Sequence, residues 1–196
     1  MEKGGCTEAL AAAGLTRASG VGFTDELRVG LRGTTRRVWG RRGVKVRQRL
    51  QLTYEWRYLV LAVDGRAGAI WWGWAKTMKA VDLWPLVAGL REMAVLDALV
   101  WDRAPSHRDA DVHAIGLPLV ELPPYSPELN PAERLFEEIR RRVEGKVYAT
   151  LDDKVAELEA FLAEFDADPA RVRRLCGWGW IDAAFEALPT PEEKAA

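Results

Sequence analysis

Cysteine is nearly absent. Cys6 and Cys176 are the only two in 196 residues, and neither has a second cysteine or a histidine at zinc-ligand spacing. That excludes a disulfide-stapled secreted scaffold and a structural zinc site, and it fits a reducing cytoplasm. Long apolar runs are also missing. The longest, Tyr58 to Val63 and Ala67 to Trp74, fall far short of the roughly 20 residues a spanning helix needs, and the N-terminus lacks a signal-peptide apolar core, so a membrane partner is not expected. No internal repeat, low-complexity linker or second domain is visible. What is present, 48% hydrophobic and 29% charged residues, is the composition of an ordinary folded domain. A chain of this length buries roughly 70% of the surface it exposes unfolded, so its core needs no covalent staple.

Acidic residues are absent from one segment. Between Arg28 and Arg49 stand nine positive charges, Arg28, Arg32, Arg36, Arg37, Arg41, Arg42, Lys45, Arg47 and Arg49, with no carboxylate among them. The stretch from Leu151 to Asp168 is predominantly acidic, so the formal net charge of -1 conceals a basic front and an acidic rear. A basic strip is the electrostatic footprint of phosphate-backbone contact, and equally of a solvated arginine-rich hairpin.

The first twenty residues read as a short helix and a peripheral loop. Val21 to Glu26 reads as a buried strand whose tip delivers an acid. Arg37 to Trp39 and Val44 to Thr53 alternate around a turn at Gly40 to Gly43, and Arg57 to Val63 and Ala67 to Trp74 flank the turn Asp64-Gly65-Arg66, predicting an antiparallel meander. A helix is expected from an N-cap at Asp82, with Trp84, Val87, Leu90 and Met93 on one face. A strand, Ala98 to Trp101, then ends at Asp102. Arg103 to His113 reads as a loop and short helix, Leu117 to Leu122 as another strand, and Pro123 to Pro127 as a rigid loop. A helix opens at Asn130-Pro131 with the stripe Leu135, Phe136, Ile139 and Val143, and stops at Gly145. Helices over Leu151 to Phe165, Pro169 to Leu175 and Trp178 to Leu188 follow, then a charged, Pro-rich tail. This order predicts an α/β fold, an RNase H-like mixed sheet with helices on both faces and extra C-terminal helices.

Three acids fall where such a fold converges: Asp25, Asp102 and Glu133. Carboxylates brought together repel unless a cation joins them, and an oxygen-only donor set points to Mg²⁺ or Mn²⁺. Two such ions about 3.5–4 Å apart support in-line displacement at phosphorus. Each acid also has an ordinary reading: Asp25 as a strand end, Asp102 as an Asx-type turn before Pro105, and Glu133 as the third helical residue of a capping box begun by Asn130. Trp72 and Trp74 share a strand face with Trp71 on the other, and read mainly as core.

The string Leu122-Pro-Pro-Tyr-Ser-Pro-Glu-Leu-Asn-Pro-Ala-Glu133 resembles the signature of the mariner superfamily of DDE transposases, especially its bacterial insertion-sequence branch. Phe23-Thr24-Asp25-Glu26 is similar to the family's first acidic motif, Trp101 to His107 to its second, and Arg37 to Gly43 to its tryptophan-containing turn. The resemblance implies a catalytic domain over residues 21–145, with 1–20 peripheral and 146–196 a helical extension packed on the same domain. It implies Asp25, Asp102 and Glu133 as catalytic carboxylates holding two Mg²⁺ or Mn²⁺ ions, and strand cleavage and transfer of an insertion sequence. It also implies backbone contacts from Arg36, Arg37, Arg41 and Arg42, His107 as a DNA-touching neighbour of the site, DNA ends and target as partners, and a homodimer. Three features depart from the pattern. Arg103 replaces the usual Asn, only 30 residues separate Asp102 from Glu133, and the 24 residues before Asp25 leave no room for the helix-turn-helix modules that read the element's ends. The last departure suggests a separately encoded DNA-binding subunit, or a domesticated fragment that binds DNA without transposing.

Overall fold

β-Branched and aromatic side chains crowd the first half of the chain, and there they make strands. In the computed structural model, which describes residues 4–33, 39–93, 96–104, 110–123 and 126–195, five strands form one mixed sheet. They are β1 (Val21–Gly30), β2 (Trp56–Asp64), β3 (Ala69–Ala75), β4 (Ala98–Trp101) and β5 (Leu119–Glu121), ordered β3-β2-β1-β4-β5. β1, β2 and β3 pair antiparallel, whereas β4 lies parallel to both β1 and β5. The described helices are α1 (Gly4–Ala12), α2 (Ala80–Glu92), α3 (Ala110–Ala114), α4 (Pro131–Val143), α5 (Leu151–Asp166), α6 (Pro169–Cys176), α7 (Gly179–Glu186) and α8 (Pro191–Ala195). None of them is long and apolar enough to cross a membrane.

The alternation of strand side chains divides the core in two. Phe23, Leu27 and Val29 of β1, Leu59, Leu61 and Val63 of β2 and Val100 of β4 face one way, against α1, α4, α5, α6 and α7. Ala62, Leu99 and Trp101 face the other way, onto Val87 and Leu90 of α2. On α4 the buried residues Leu135, Phe136 and Ile139 form the expected stripe against the sheet. Each such burial contributes roughly 1.5–3 kcal/mol. Gly145, at φ 71, ends the turn after α4 in the left-handed region that favours glycine. Gly68 closes the β2–β3 turn at φ 76, and a Cβ there would lie 2.3 Å from the Pro169 carbonyl oxygen, so this turn seats directly on the start of α6.

Five expectations are corrected. β1 runs to Gly30, which places Asp25 in mid-strand rather than at a tip, because antiparallel pairing with β2 continues through Gly30 while the parallel pairing with β4 stops at Phe23. Val44 to Thr53 is not a strand. The turn at Arg41 to Val44 forms, but among the described residues the segment pairs with no strand, and Leu31 N–H to Glu55 O and Gly33 N–H to Gln51 O, both 3.0 Å, tie its base. Of the paired segment, Trp39 is also outside any strand, and Arg37 and Val38 lie outside the described residues. α2 starts at Ala80 and buries Leu83, Val87 and Leu90, leaving Trp84 and Met93 exposed; Asp82 instead accepts from the backbone and hydroxyl of Thr77. β5 is shorter than Leu117 to Leu122, since Pro118 has no N–H for the ladder and contributes only its carbonyl, to Leu99 N–H at 2.9 Å. The tail carries a helix, α8, because Thr190 and Glu193 cap it reciprocally.

Candidate active site

The register brings the first two acids together. Val21 pairs with Ala98, Gly22 with Leu99 and Phe23 with Val100. Asp25 and Asp102 each lie two residues beyond the last of these pairs, which by strand alternation puts them on the face of Phe23 and Val100, and the Asp102 charge acts on Asp25. That face is the one α4 covers, so the first turn of α4 delivers Glu133 to the same place. Asp102 follows the last residue of β4, and its Oδ1 accepts the Ala104 N–H at 2.9 Å, so it also makes the expected local turn.

Asp25 is half-buried. Its Oδ1 accepts the Glu26 N–H at 2.8 Å, and its Oδ2 lies 3.4 Å from Asn130 Nδ2. Burial pushes its carboxyl up to about 7; the charges of Glu26, Glu133 and Asp102 push the same way, against the Glu26 hydrogen bond. Both of the other predicted acids therefore act on Asp25. They are not drawn into a closed cage, for among the described residues no group of three or more His, Cys, Asp and Glu is gathered as metal ligands are.

Glu133 makes no capping box. Asn130 caps α4 by accepting the Ala132 N–H, and the Glu133 carboxylate instead stands 3.5 Å from the Arg140 guanidinium two turns along. Glu137, the neighbouring candidate, points to solvent and pairs with Arg134 and, at 3.7 Å, with Arg141. Arg103, the departure from the acidic motif, turns its Nε to the Leu122 carbonyl at 3.2 Å and to Glu121 at 3.1 Å. It thereby ties the exit of β4 to the end of β5.

The basic strip is only partly a free surface. Arg28 stacks over Trp56 at 4.0 Å and Arg32 over Tyr54 at 4.5 Å, whereas Arg41 and Arg42 are exposed. Arg36, Arg37 and His107 lie outside the described residues. Trp72 and Trp74 are half-buried, and both direct their indole N–H to the Glu159 carboxylate on α5, Trp72 at 2.9 Å. Trp72 occupies the row of Asp25, since Asp25 pairs with Leu61 and Leu61 with Trp72. A cavity of about 470 Å³ between β3 and α2, lined by Trp71, Leu86 and Met93 among others, lies on the face away from the carboxylates.

Asn130 was legible only as a helix cap. Its 2% exposure and its reach to Asp25 emerge from the fold, and the one hint in the chain is its place inside the string that ends at Glu133.

A sequence profile described as DDE superfamily endonuclease matches residues 21–154. No curated protein sequence matches. Among solved structures, the Mos1 strand transfer complex aligns with a TM-score of 0.66 at 17% identity, over 94% of this chain and 58% of that one. The mariner Mos1 paired-end complex with Mg aligns at 0.65 and 19% identity, over 94% and 59%. The catalytic domain of Mos1 mariner transposase aligns at 0.60 and 14% identity, over 94% and 88%. The chain thus spans somewhat more than half of the longer Mos1 chains and most of their catalytic domain, and the likeness establishes the RNase H-like mixed sheet. By the profile match over most of its length, the chain belongs to the DDE superfamily endonuclease family.

Proposed function

We propose that this chain is the catalytic domain of an insertion-sequence transposase of the mariner superfamily, which cuts a DNA strand at the element's end and joins the freed 3′-hydroxyl to target DNA. The observation that carries the proposal is the half-buried Asp25 carboxylate, held among the charges of Asp102, Glu133 and Glu26 and pushed up to about 7. Such a group is costly to keep ionised in the folded protein, and a divalent cation removes that cost. The donors are carboxylate oxygens alone, which suits Mg²⁺ or Mn²⁺. The names of the Mos1 structures include complexes with Mg, with Mn and with a transposon end.

Asp25, Asp102 and Glu133 would hold two ions, Asp25 standing under the charges of both other acids. When bound, the ions supply activation of the attacking oxygen and neutralisation of charge on the leaving oxygen. Glu133 gives up its long pair with Arg140 to take part, leaving that guanidinium beside the site for a phosphate. Arg36, Arg37, Arg41 and Arg42 contact the DNA backbone without reading its sequence, with His107 near the scissile phosphate. Water attacks first, then the new 3′-hydroxyl, so no covalent enzyme intermediate is needed. A homodimer is supported by the segment after Trp39, which exposes Val44 and Val46 in alternation with the basic residues Lys45 and Arg47, and further along Leu52 and Tyr54. The reaction takes place in the cytoplasm.

The test is nicking of end-bearing duplex DNA with Mg²⁺, Mn²⁺, Ca²⁺ or chelator. Cleavage with the first two alone is expected. Cleavage that persists in chelator overturns the metal-dependent reading, and DNA binding without cleavage under any condition points to a silent, domesticated fragment.

A further inference from the structure

One of the buried polar side chains near the three acids belongs to none of them. Asn130 is 2% exposed, and its amide serves three parts of the fold at once. Oδ1 accepts the Ala132 N–H at 3.1 Å, capping α4. Nδ2 donates to the Thr24 carbonyl at 3.1 Å and reaches Asp25 Oδ2 at 3.4 Å. The Thr24 carbonyl lies one residue past Phe23, where the parallel pairing of β1 with β4 runs out. Asn130 thus fastens the start of α4 to the point on β1 that carries Asp25, and its own carbonyl accepts the Glu133 N–H at 3.1 Å.

A helix cap alone does not need this arrangement. Serine, threonine and aspartate cap as well as asparagine, but none of them offers an acceptor to the helix and an N–H donor to the strand together. The amide has both, and here both are used. Its donor side faces the oxygen of Asp25 that the Glu26 N–H leaves open, so one oxygen is held from the strand and the other from the helix.

On the reading of Asp25 and Glu133 as ligands of a divalent cation, we propose that Asn130 is a positioning residue for that site: its Nδ2 orients the Asp25 carboxylate while its Oδ1 and backbone fix the helix turn bearing Glu133. Outer-shell partners of this kind typically alter metal affinity 10–100-fold when removed.

Asn130→Ser separates the two halves of the side chain's work, because serine keeps the cap and loses the reach to Thr24 and Asp25. Mn²⁺ binding is measured on the folded, metal-free protein by electron paramagnetic resonance of the free ion, well below the melting temperature determined in chelator. The expected result is a Kd for Mn²⁺ at least tenfold weaker than wild type. Wild-type affinity in Asn130→Ser overturns the proposal and leaves Asn130 a cap. A wild-type protein without saturable Mn²⁺ binding overturns both this inference and the metal site on which it rests. Should Asn130→Ser not fold, the wild-type protein still decides. The side-chain amide resonances of Asn130 should shift with Mg²⁺ at the same midpoint as the backbone amide of Glu26. An Asn130 side chain that stays unmoved while Glu26 responds sinks the idea.

Discussion

Replacing Asp25 by asparagine should stabilise the metal-free protein, and only above a definite pH. The Asp25 carboxyl releases its proton near 3.8 in the unfolded chain and near 7 in the folded one. Between those values the folded state binds more protons than the unfolded state, so this group lowers stability as pH rises, with no effect below about 4 and its full effect above about 7. A difference of about three pH units at 1.36 kcal/mol per unit sets an upper limit of roughly 4 kcal/mol. Asparagine has no charge to bury, and its carbonyl can still accept the Glu26 N–H. Its amino group meets that of Asn130, which costs about 1 kcal/mol. At pH 8 in chelator, Asp25→Asn should therefore melt higher than wild type by up to about 10 °C, at roughly 2–4 °C per kcal/mol for a domain of this size. At pH 4 the difference should vanish or reverse. Saturating Mn²⁺ at pH 8 should raise the wild-type melting temperature and leave that of Asp25→Asn unchanged. A difference in melting temperature that stays constant from pH 4 to pH 8.5 refutes the reasoning, since a desolvated, repelled carboxylate must show itself as a slope.

Glu133→Gln should abolish strand cleavage and reduce stabilisation by Mn²⁺, while Glu137→Gln should change both little, because Glu137 is spent on exposed pairs with Arg134 and Arg141 worth about 0.3–0.5 kcal/mol each. The reverse outcome in paired cleavage and melting assays would move the ligand one turn along α4. Neutralising Arg36, Arg37, Arg41 and Arg42 together should weaken binding to all duplexes alike and flatten the slope of log affinity against log salt by up to roughly 3.6 units, about 0.9 per lost phosphate contact. A salt titration with an unchanged slope reassigns these arginines to a solvated surface.

Much of the frame could be read from the residues. β4 has its expected bounds, β2 and β3 flank the Asp64 turn as predicted, and α4 begins after Asn130 and buries the stripe Leu135, Phe136 and Ile139. These are local matters: alternation, a turn acidic residue, a cap followed by proline, and an apolar stripe at helical spacing each act over a few neighbouring residues. The chemical types of Asp25, Asp102 and Glu133, and the string that ends at Glu133, were visible for the same reason.

Tertiary structure alone decided the rest. Val44 to Thr53 has a strand's alternation and, among the described residues, no strand paired with it, and periodicity says which face a segment has without saying whether a neighbour exists to pair with it. On α2 two helical faces are apolar, and only the sheet beneath selects Leu83 over Trp84. The raised proton affinity of Asp25 comes first from burial, and beyond its neighbour Glu26 the charges that add to it stand on Glu133 and Asp102, so most of it belongs to a place in the fold that no short stretch of chain contains. Asn130 is the sharpest case. Its capping role is written in the four residues Asn130 to Glu133, whereas its hold on Thr24 and Asp25 spans more than a hundred positions and exists only once α4 has packed on β1.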